Sequence, residues 1–163
     1  MKPVKRALIG LNLVLVLGYT LYYVRAKETI LADGHRLLFE LAPVDPRSLI
    51  QGDYMQLDYA VSRQARRQLN ERKTGYVVVT DSAGLARYVR VQSAPEPRAA
   101  DEYLVNFTVD DWGLNVGAGE YFFQEGLADT FARARYGELR LDGDGNTLLT
   151  GLYDGERRRL GRQ

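Results

Sequence analysis

The feature that most constrains this chain is an uncharged run of 18 residues near its start, Ala7–Val24. A helix of that length is about 27 Å long, close to the thickness of the hydrocarbon core of a bilayer. Tyr19, Tyr22 and Tyr23 end the run, where amphipathic rings suit lipid headgroups. Because these bulky residues stand where signal-peptide cleavage needs small ones, the run predicts a retained anchor at residues 1–25. A cleaved signal peptide and a buried helix are the alternatives.

Charge is distributed unevenly between this run and the rest of the chain. Residues 1–24 carry Lys2, Lys5 and Arg6 and no acid, whereas the remainder holds 19 basic and 21 acidic side chains. Basic residues before an anchor favour a cytoplasmic N-terminus, so the larger part of the chain is expected outside the cytoplasm. The near balance of charge elsewhere excludes a polybasic nucleic-acid binder.

One domain is predicted at residues 26–155, followed by a basic tail at 156–163 that is expected to fray. The chain has no cysteine, so core packing must hold an exported domain together without disulfides. Alternating apolar residues separated by turn residues indicate about seven strands with one or two helices. The fold class is therefore α+β, mostly β: one transmembrane helix followed by a compact antiparallel β-rich domain.

Local patterns predict the individual elements. Extended structure is expected at 30–31 and 36–41, and strands at 54–61, 76–80, 86–92, 102–109, from 121 onward, at 135–141 and at 147–153. A solvent-facing helix is predicted over Ser62–Lys73, with Ser62 as N-cap and Gly75 just beyond its end. A single helical turn is expected at Leu127–Phe131. The glycine-rich stretch Asp110–Glu120 is predicted to be irregular.

No pattern in the sequence predicts a metal or cofactor site. Asp142, Asp144 and Asn146 have the spacing that opens a calcium loop, but the later positions lack its glycine and its bidentate glutamate. A hairpin turn explains the same residues. His35 is the only histidine, which excludes a multi-histidine metal site.

No pattern predicts a catalytic site either. Ser48 and Lys73 are a formal nucleophile–base pair. A membrane-tethered hydrolase stays open as an alternative function if these two residues, or two of the carboxylates at 101–102, 110–111, 120 and 125, converge in a cleft. Another alternative is a small-molecule or lipid-binding module, with a pocket lined by several of four aromatic residues, Tyr103, Phe107, Phe122 and Phe123.

The segment Gly52–Tyr59 reads GDYMQLDY and resembles the signature of the GDYXXLXY family of bacterial membrane-anchored proteins. The segments at 43–49, 123–126, 134–139 and 151–152 are also similar to that family. The resemblance implies a single-pass protein of the bacterial inner membrane, often encoded beside a polytopic membrane protein. That polytopic protein is the expected partner.

A weaker likeness joins Ser48–Met55 to membrane-anchored signal peptidases. In that alignment the nucleophile position falls on Val44 and the lysine region on Tyr88–Arg90. Neither valine nor arginine can supply the chemistry of those positions, so the likeness implies a shared β-rich shape without catalysis.

The signature has a structural interpretation of its own. Gly52 and Asp53 suit a turn that enters a strand, Leu57 and Tyr59 are expected to face the core, and Tyr54 would lie on the opposite face. An exposed surface of Tyr54, Asp58 and Trp112 is the candidate partner-binding site.

The anchor offers a second region of contact with a partner. Asn12 with the small residues Gly10 and Gly18 is suited to helix–helix contact in a membrane. Together these features predict a non-enzymatic accessory protein that binds a membrane partner.

Overall fold

The structure is a computed structural model that describes residues 3–42, 47–49, 52–69, 73–110 and 113–161. Within these residues the helices are α1 (Pro3–Asp33), α2 (Ala60–Arg66) and α3 (Ala128–Phe131). The strands are β1 (His35–Glu40), β2 (Arg47–Leu49), β3 (Gly52–Gln56), β4 (Thr74–Ser82), β5 (Leu85–Gln92), β6 (Glu102–Asp110), β7 (Gly113–Val116), β8 (Glu120–Phe123), β9 (Tyr136–Leu141) and β10 (Thr147–Tyr153). A mostly β domain behind an N-terminal apolar helix is the predicted fold class.

The strands form two sheets. The larger has the order β10-β9-β1-β5-β4-β6-β7, and the smaller has the order β2-β3-β8. Strand β1 lies between the hairpins β4–β5 and β9–β10, pairing antiparallel with β9 and parallel with β5. Every other pair of described strands is antiparallel, so the large sheet is mixed rather than purely antiparallel.

The main core lies between one face of the large sheet, α2, α3 and the small sheet. Val77, Val105 and Leu139 are fully buried at the centre of the large sheet. Phe39 of β1 meets the ring of Tyr59 edge-on, with 6.1 Å between ring centroids. Burial of these side chains supplies the stability that a cysteine-free domain needs.

Helix α1 continues well beyond the predicted anchor. From Ala7 to Asp33 it is long and apolar enough to cross a membrane, and a signal sequence near an N-terminus would meet the same criteria. The predicted extended structure at 30–31 is wrong, because those residues form the last turn of α1. Ile30 is only 5% exposed there and packs against the domain.

The junction between α1 and the domain is tight. Gly34 follows the helix directly, and its amide donates a hydrogen bond to the carbonyl of Ile30 at 3.0 Å. A Cβ on Gly34 would lie 2.4 Å from that same carbonyl oxygen. Arg140 of β9 donates from Nη1 to the carbonyl of Ala32 at 3.4 Å. No linker therefore separates the helix from the sheet.

The predicted strand at 54–61 and the predicted helix that follows it are shifted. Strand β3 ends at Gln56, and α2 begins at Ala60 with Tyr59 in the N-cap position. Ser62 is not the cap, because its side chain is buried inside the first turns of the helix. Gly75 lies within β4 instead of ending α2.

Two other predictions need correction. The stretch Asp110–Glu120 contains a strand, β7, which pairs with β6 at the edge of the large sheet. The C-terminal tail does not fray over its described residues, because the Leu160 amide bonds to the carbonyl of Leu152 at 2.8 Å. Arg159 also donates to the carbonyl of Thr150 at 2.6 Å. The tail thus packs along β10.

Candidate functional site

The signature Gly52–Tyr59 connects the two sheets. Gly52 and Asp53 begin β3, and Asp53 is opposite Phe123 in the small sheet. Leu57 is buried, and its amide donates to the carbonyl of Gly119 at 2.8 Å. The first half of the signature therefore belongs to the small sheet, and the second half enters the main core.

Tyr59 is the structural centre of the signature. It is 2% exposed, and its hydroxyl donates a hydrogen bond to the carbonyl of Ala118 at 3.0 Å. Burial raises the pKa of the Tyr59 phenol, so the group stays a neutral donor. Its backbone also bridges to Leu41, just beyond β1. One residue thus contacts β1, α2 and the loop that precedes β8.

A polar cleft of about 820 Å³ opens beside the second half of the signature. Its charged lining residues are Asp58, Arg66, Asp110 and Glu120. Asp58 forms an ion pair with Arg63 of α2, with 2.8 Å between Oδ2 and Nε. Groups of both charge signs line the cleft, an arrangement that suits polar rather than apolar ligands.

Two details shape the interior of this cleft. A Cβ on Gly113 would lie 1.6 Å from Nη2 of Arg66, so the glycine gives that guanidinium its space. The Asp110 carboxylate accepts hydrogen bonds from the Gly113 amide at 3.0 Å and from Asn115 at 2.8 Å. The Ser62 hydroxyl is buried at the wall with no hydrogen-bond partner among the described residues.

An aromatic pair covers the outer face of the small sheet. Tyr54 and Phe122 are opposite each other on β3 and β8, and their rings stack with 6.0 Å between centroids. Phe122 is 68% exposed, the highest value among the large apolar side chains of the domain that the structure describes. Asp58 lies apart from this pair, in the polar cleft, and Trp112 lies outside the described residues.

The four aromatic residues proposed for a ligand pocket do not come together. Phe107 is buried in the core, and Phe123 packs on Phe131 with 4.7 Å between ring centroids. Tyr103 stacks on His35 at 4.1 Å, while Phe122 faces solvent. The pocket predicted from these four residues is therefore wrong.

A buried carboxylate that the sequence did not reveal lies on the opposite face of the large sheet. Glu138 is 5% exposed and accepts hydrogen bonds from the hydroxyls of Thr150 and Tyr153. Arg36 pairs with it at 2.8 Å. Burial alone would raise the pKa of Glu138, but the two hydroxyls and the nearby arginines Arg36 and Arg140 hold it below its usual value. Its partners occupy both carboxylate oxygens, so the group acts as a structural anion.

The residues considered for catalysis and calcium binding are placed differently. Ser48 belongs to β2 in the small sheet, whereas Lys73 precedes β4 in the large sheet. Asp142 accepts hydrogen bonds from the amides of Asp144 at 3.0 Å and Asn146 at 2.8 Å, closing the β9–β10 turn. His35 lies 3.1 Å from Asp81, measured from Nε2 to Oδ2.

Comparison with known proteins gives one match. A family model described as GDYXXLXY protein matches residues 16–152, which is most of the chain. The chain belongs to the GDYXXLXY family. No curated protein and no solved structure matches it. The likeness to signal peptidases thus gains no support. The family signature is the segment that connects the two sheets of the GDYXXLXY domain.

Three features of this GDYXXLXY domain escaped sequence reasoning. Phe122 reads as a core residue within the apolar triplet at 121–123, and only the register of β8 shows that it faces outward. Arg66 lies in α2, which was predicted to face solvent, so its place in the lining of the polar cleft was not predicted. Glu138 is framed by Gly137 and Leu139, and an acid inside an apolar strand is a signal that could have identified it.

Proposed function

We propose that this GDYXXLXY protein is a non-catalytic accessory protein of the inner membrane that binds a polytopic membrane protein. Its N-terminus would lie in the cytoplasm and its domain on the other side. The observation that carries the proposal is the junction at Ile30–Gly34, where an apolar helix passes directly into the sheet. A domain fixed in this way presents its surfaces at a defined height and orientation above the bilayer.

The same junction supports a retained anchor rather than a cleaved signal. Helix α1 is continuous from Pro3 to Asp33, so any cleavage site within it would have to unwind. The last turn of α1 also belongs to the folded domain, because Ile30 is buried and Arg140 bonds to Ala32. Removal of the apolar part would leave a cut helix end on this packed turn.

The surface proposed for the partner is the outer face of the small sheet. Tyr54 and Phe122 present a stacked aromatic pair there, and exposed aromatic rings are enriched at protein interfaces. Residues of this kind contribute a large share of binding energy when a partner covers them.

The hydrogen-bond partners of the domain's buried polar groups favour a non-catalytic role. Glu138 has hydrogen-bond partners on both oxygens, and Tyr59 donates its hydroxyl to a backbone carbonyl. Ser48 lies in β2 of the small sheet, whereas Lys73 precedes β4 of the large sheet. Glu138 and Tyr59 thus each have a structural explanation, and neither is poised as a nucleophile next to a base.

Topology is testable because the chain has no cysteine of its own. Val4→Cys and Ser93→Cys place one thiol before the apolar run and one on an exposed loop. A membrane-impermeant maleimide should label Ser93→Cys in intact cells and Val4→Cys only after permeabilisation. The reverse pattern would overturn the proposed orientation.

Partner binding is testable with a photo-crosslinking amino acid at Phe122 in the native membrane. We expect a discrete adduct with a polytopic membrane protein, and none when the probe replaces Glu156, which is exposed elsewhere on the domain. Absence of any adduct from Phe122 and from the anchor, together with a monomeric mass in mild detergent, would contradict the proposed function.

A further inference from the structure

A groove of about 760 Å³ lies where α1 meets the domain. Its helix wall begins at Ala26, two residues beyond Val24, and ends at Asp33, nine residues beyond it. At about 1.5 Å per residue these positions are roughly 3 Å and 14 Å past the apolar run. The groove therefore begins among the lipid headgroups and opens away from the membrane.

The helix face that lines this groove continues into the apolar run. Ala26, Thr29 and Asp33 line the groove with spacings of three and four residues. The same alternating spacing, followed back along α1, selects the exposed residues Leu8, Asn12, Leu15, Tyr19 and Tyr22. Such spacing is the seam along which two helices pack side by side.

Asn12 gives this seam a polar group. It is the one amide side chain in the apolar run, and an amide within a bilayer is stabilised by a hydrogen bond to a neighbouring helix. Gly10 lies about 160° around the helix from Asn12, and Gly18 about 120° from it. Of these three residues, the seam therefore contains only Asn12, and the two glycines lie on other sides of the helix.

The groove at the end of the seam is acidic. Its charged lining residues are four carboxylates and one arginine, Asp33, Glu96, Glu102, Asp142 and Arg98. Glu102 pairs with Arg90, and Asp142 closes a turn. Asp33 and Glu96 are exposed, and within the described part of the chain their carboxylates make no hydrogen bond or ion pair. A cation entering the groove would meet the carboxylates of Asp33 and Glu96, with the Arg98 guanidinium as the opposing charge in the lining.

We infer that the seam and the groove together bind one transmembrane helix of a partner protein that carries lysine or arginine at its groove end. The partner helix packs along Asn12, Leu15 and Tyr19, and its terminal cation enters between Asp33 and Glu96. This inference rests on the proposed function and specifies the face and the chemistry of the contact. The tight Ile30–Gly34 junction keeps seam and groove in line.

The test uses the full chain in its native membrane, with a photo-crosslinking amino acid at Leu15. The matched control replaces Leu17, which has the same side chain at similar depth but lies about 160° around the helix. We expect an adduct from Leu15 and none from Leu17. Mass spectrometry should map the partner's crosslinked residue to a transmembrane helix with a lysine or arginine at its groove end.

A second pair of variants tests the charges. Asp33→Asn with Glu96→Gln should reduce the Leu15 adduct at least several-fold. Glu125→Gln with Asp129→Asn, two exposed acids outside the groove, should leave it unchanged.

Other outcomes separate this inference from the proposed function. Adducts from Leu17 or Phe122 but not Leu15 would overturn the seam and leave the accessory role standing. A Leu15 adduct with a second copy of this chain, or with phospholipid alone, would also overturn the inference. If the yield of the Leu15 adduct does not change when Asp33 and Glu96 are replaced, the charged groove is not part of the binding site. Loss of adducts at every position would contradict both proposals.

Discussion

The hydroxyl of Tyr59 donates a hydrogen bond to the carbonyl oxygen of Ala118, with 3.0 Å between the two oxygen atoms. This contact fastens the last residue of the signature to the loop between β7 and β8. The same loop receives the Leu57 amide at Gly119, so two signature residues hold one loop. The signature is therefore a clamp between the two sheets.

Tyr59→Phe should lower the free energy of unfolding by about 1–2 kcal/mol, because the partly buried carbonyl of Ala118 loses its donor while the ring still fills its space. Thermal or denaturant unfolding of the full chain in detergent would measure the change. Tyr54→Phe is the matched control, since Tyr54 lies on the outer face and should change stability by less than about 0.5 kcal/mol. Equal effects of both substitutions would contradict the clamp.

Glu102→Gln should alter the dependence of stability on acid. The Arg90 guanidinium and the Ala99 amide hold the pKa of Glu102 at about 2, below the 4.5 of an unperturbed glutamate. A lowered carboxyl pKa stabilises the fold fully above about pH 4.5, and this stabilisation disappears as the pH falls toward 2. The variant should be less stable at neutral pH and lose less stability on acidification. Glu125→Gln, an exposed acid, should follow the unmodified protein at every pH.

Glu138→Gln should destabilise the face of the large sheet that lies away from the main core. The amide has no charge to pair with Arg36, and its NH₂ must face the hydroxyl of either Thr150 or Tyr153, which donate to separate oxygens of Glu138. We expect a loss on the order of 2–3 kcal/mol in unfolding free energy, with Glu156→Gln as the exposed control. An unchanged unfolding midpoint would show that this cluster contributes nothing to the fold.

Gly34→Ala should loosen the attachment of the domain to α1. Its Cβ would lie 2.4 Å from the Ile30 carbonyl oxygen and 3.2 Å from the carbonyl oxygen of Leu141, so the last turn of the helix must shift. Hydrogen exchange should become faster at residues 30–36, and limited proteolysis should cut there. Gly155→Ala has a nearest neighbour at 3.8 Å and should change neither measurement. Protection equal to that of the unmodified protein would argue against a rigid junction.

The sequence predicted well where local pattern and packing agree. The hairpin β4–β5 and strands β6, β9 and β10 follow from alternation and turn residues, and Asp142 forms the predicted turn. Prediction failed where tertiary packing overrides local preference. Ile30 looks extended but completes a helix because the sheet buries it, and Ser62 looks like a cap but is drawn inside α2. The parallel pairing of β1 with β5 depends on contacts far apart in sequence.

The site was predicted less completely, for a related reason. Tyr59 and Leu57 are recognisable because their apolar bulk follows the signature, and both are buried. The pairing of Tyr54 with Phe122 needs the register of two strands that are distant in sequence. The polar cleft and the groove beside α1 are lined by segments that are distant in sequence. No local pattern predicts that these segments come together.

The direct passage of α1 into the sheet also fixes the rotational position of the domain about the axis of α1. Each residue inserted into α1 would rotate the whole domain by about 100° about the helix axis. In the proposed membrane arrangement, the rotational position of α1 decides which side of the domain faces a partner. Because the domain is attached rigidly to α1, rotation of that helix about its axis would also move the aromatic pair on the small sheet.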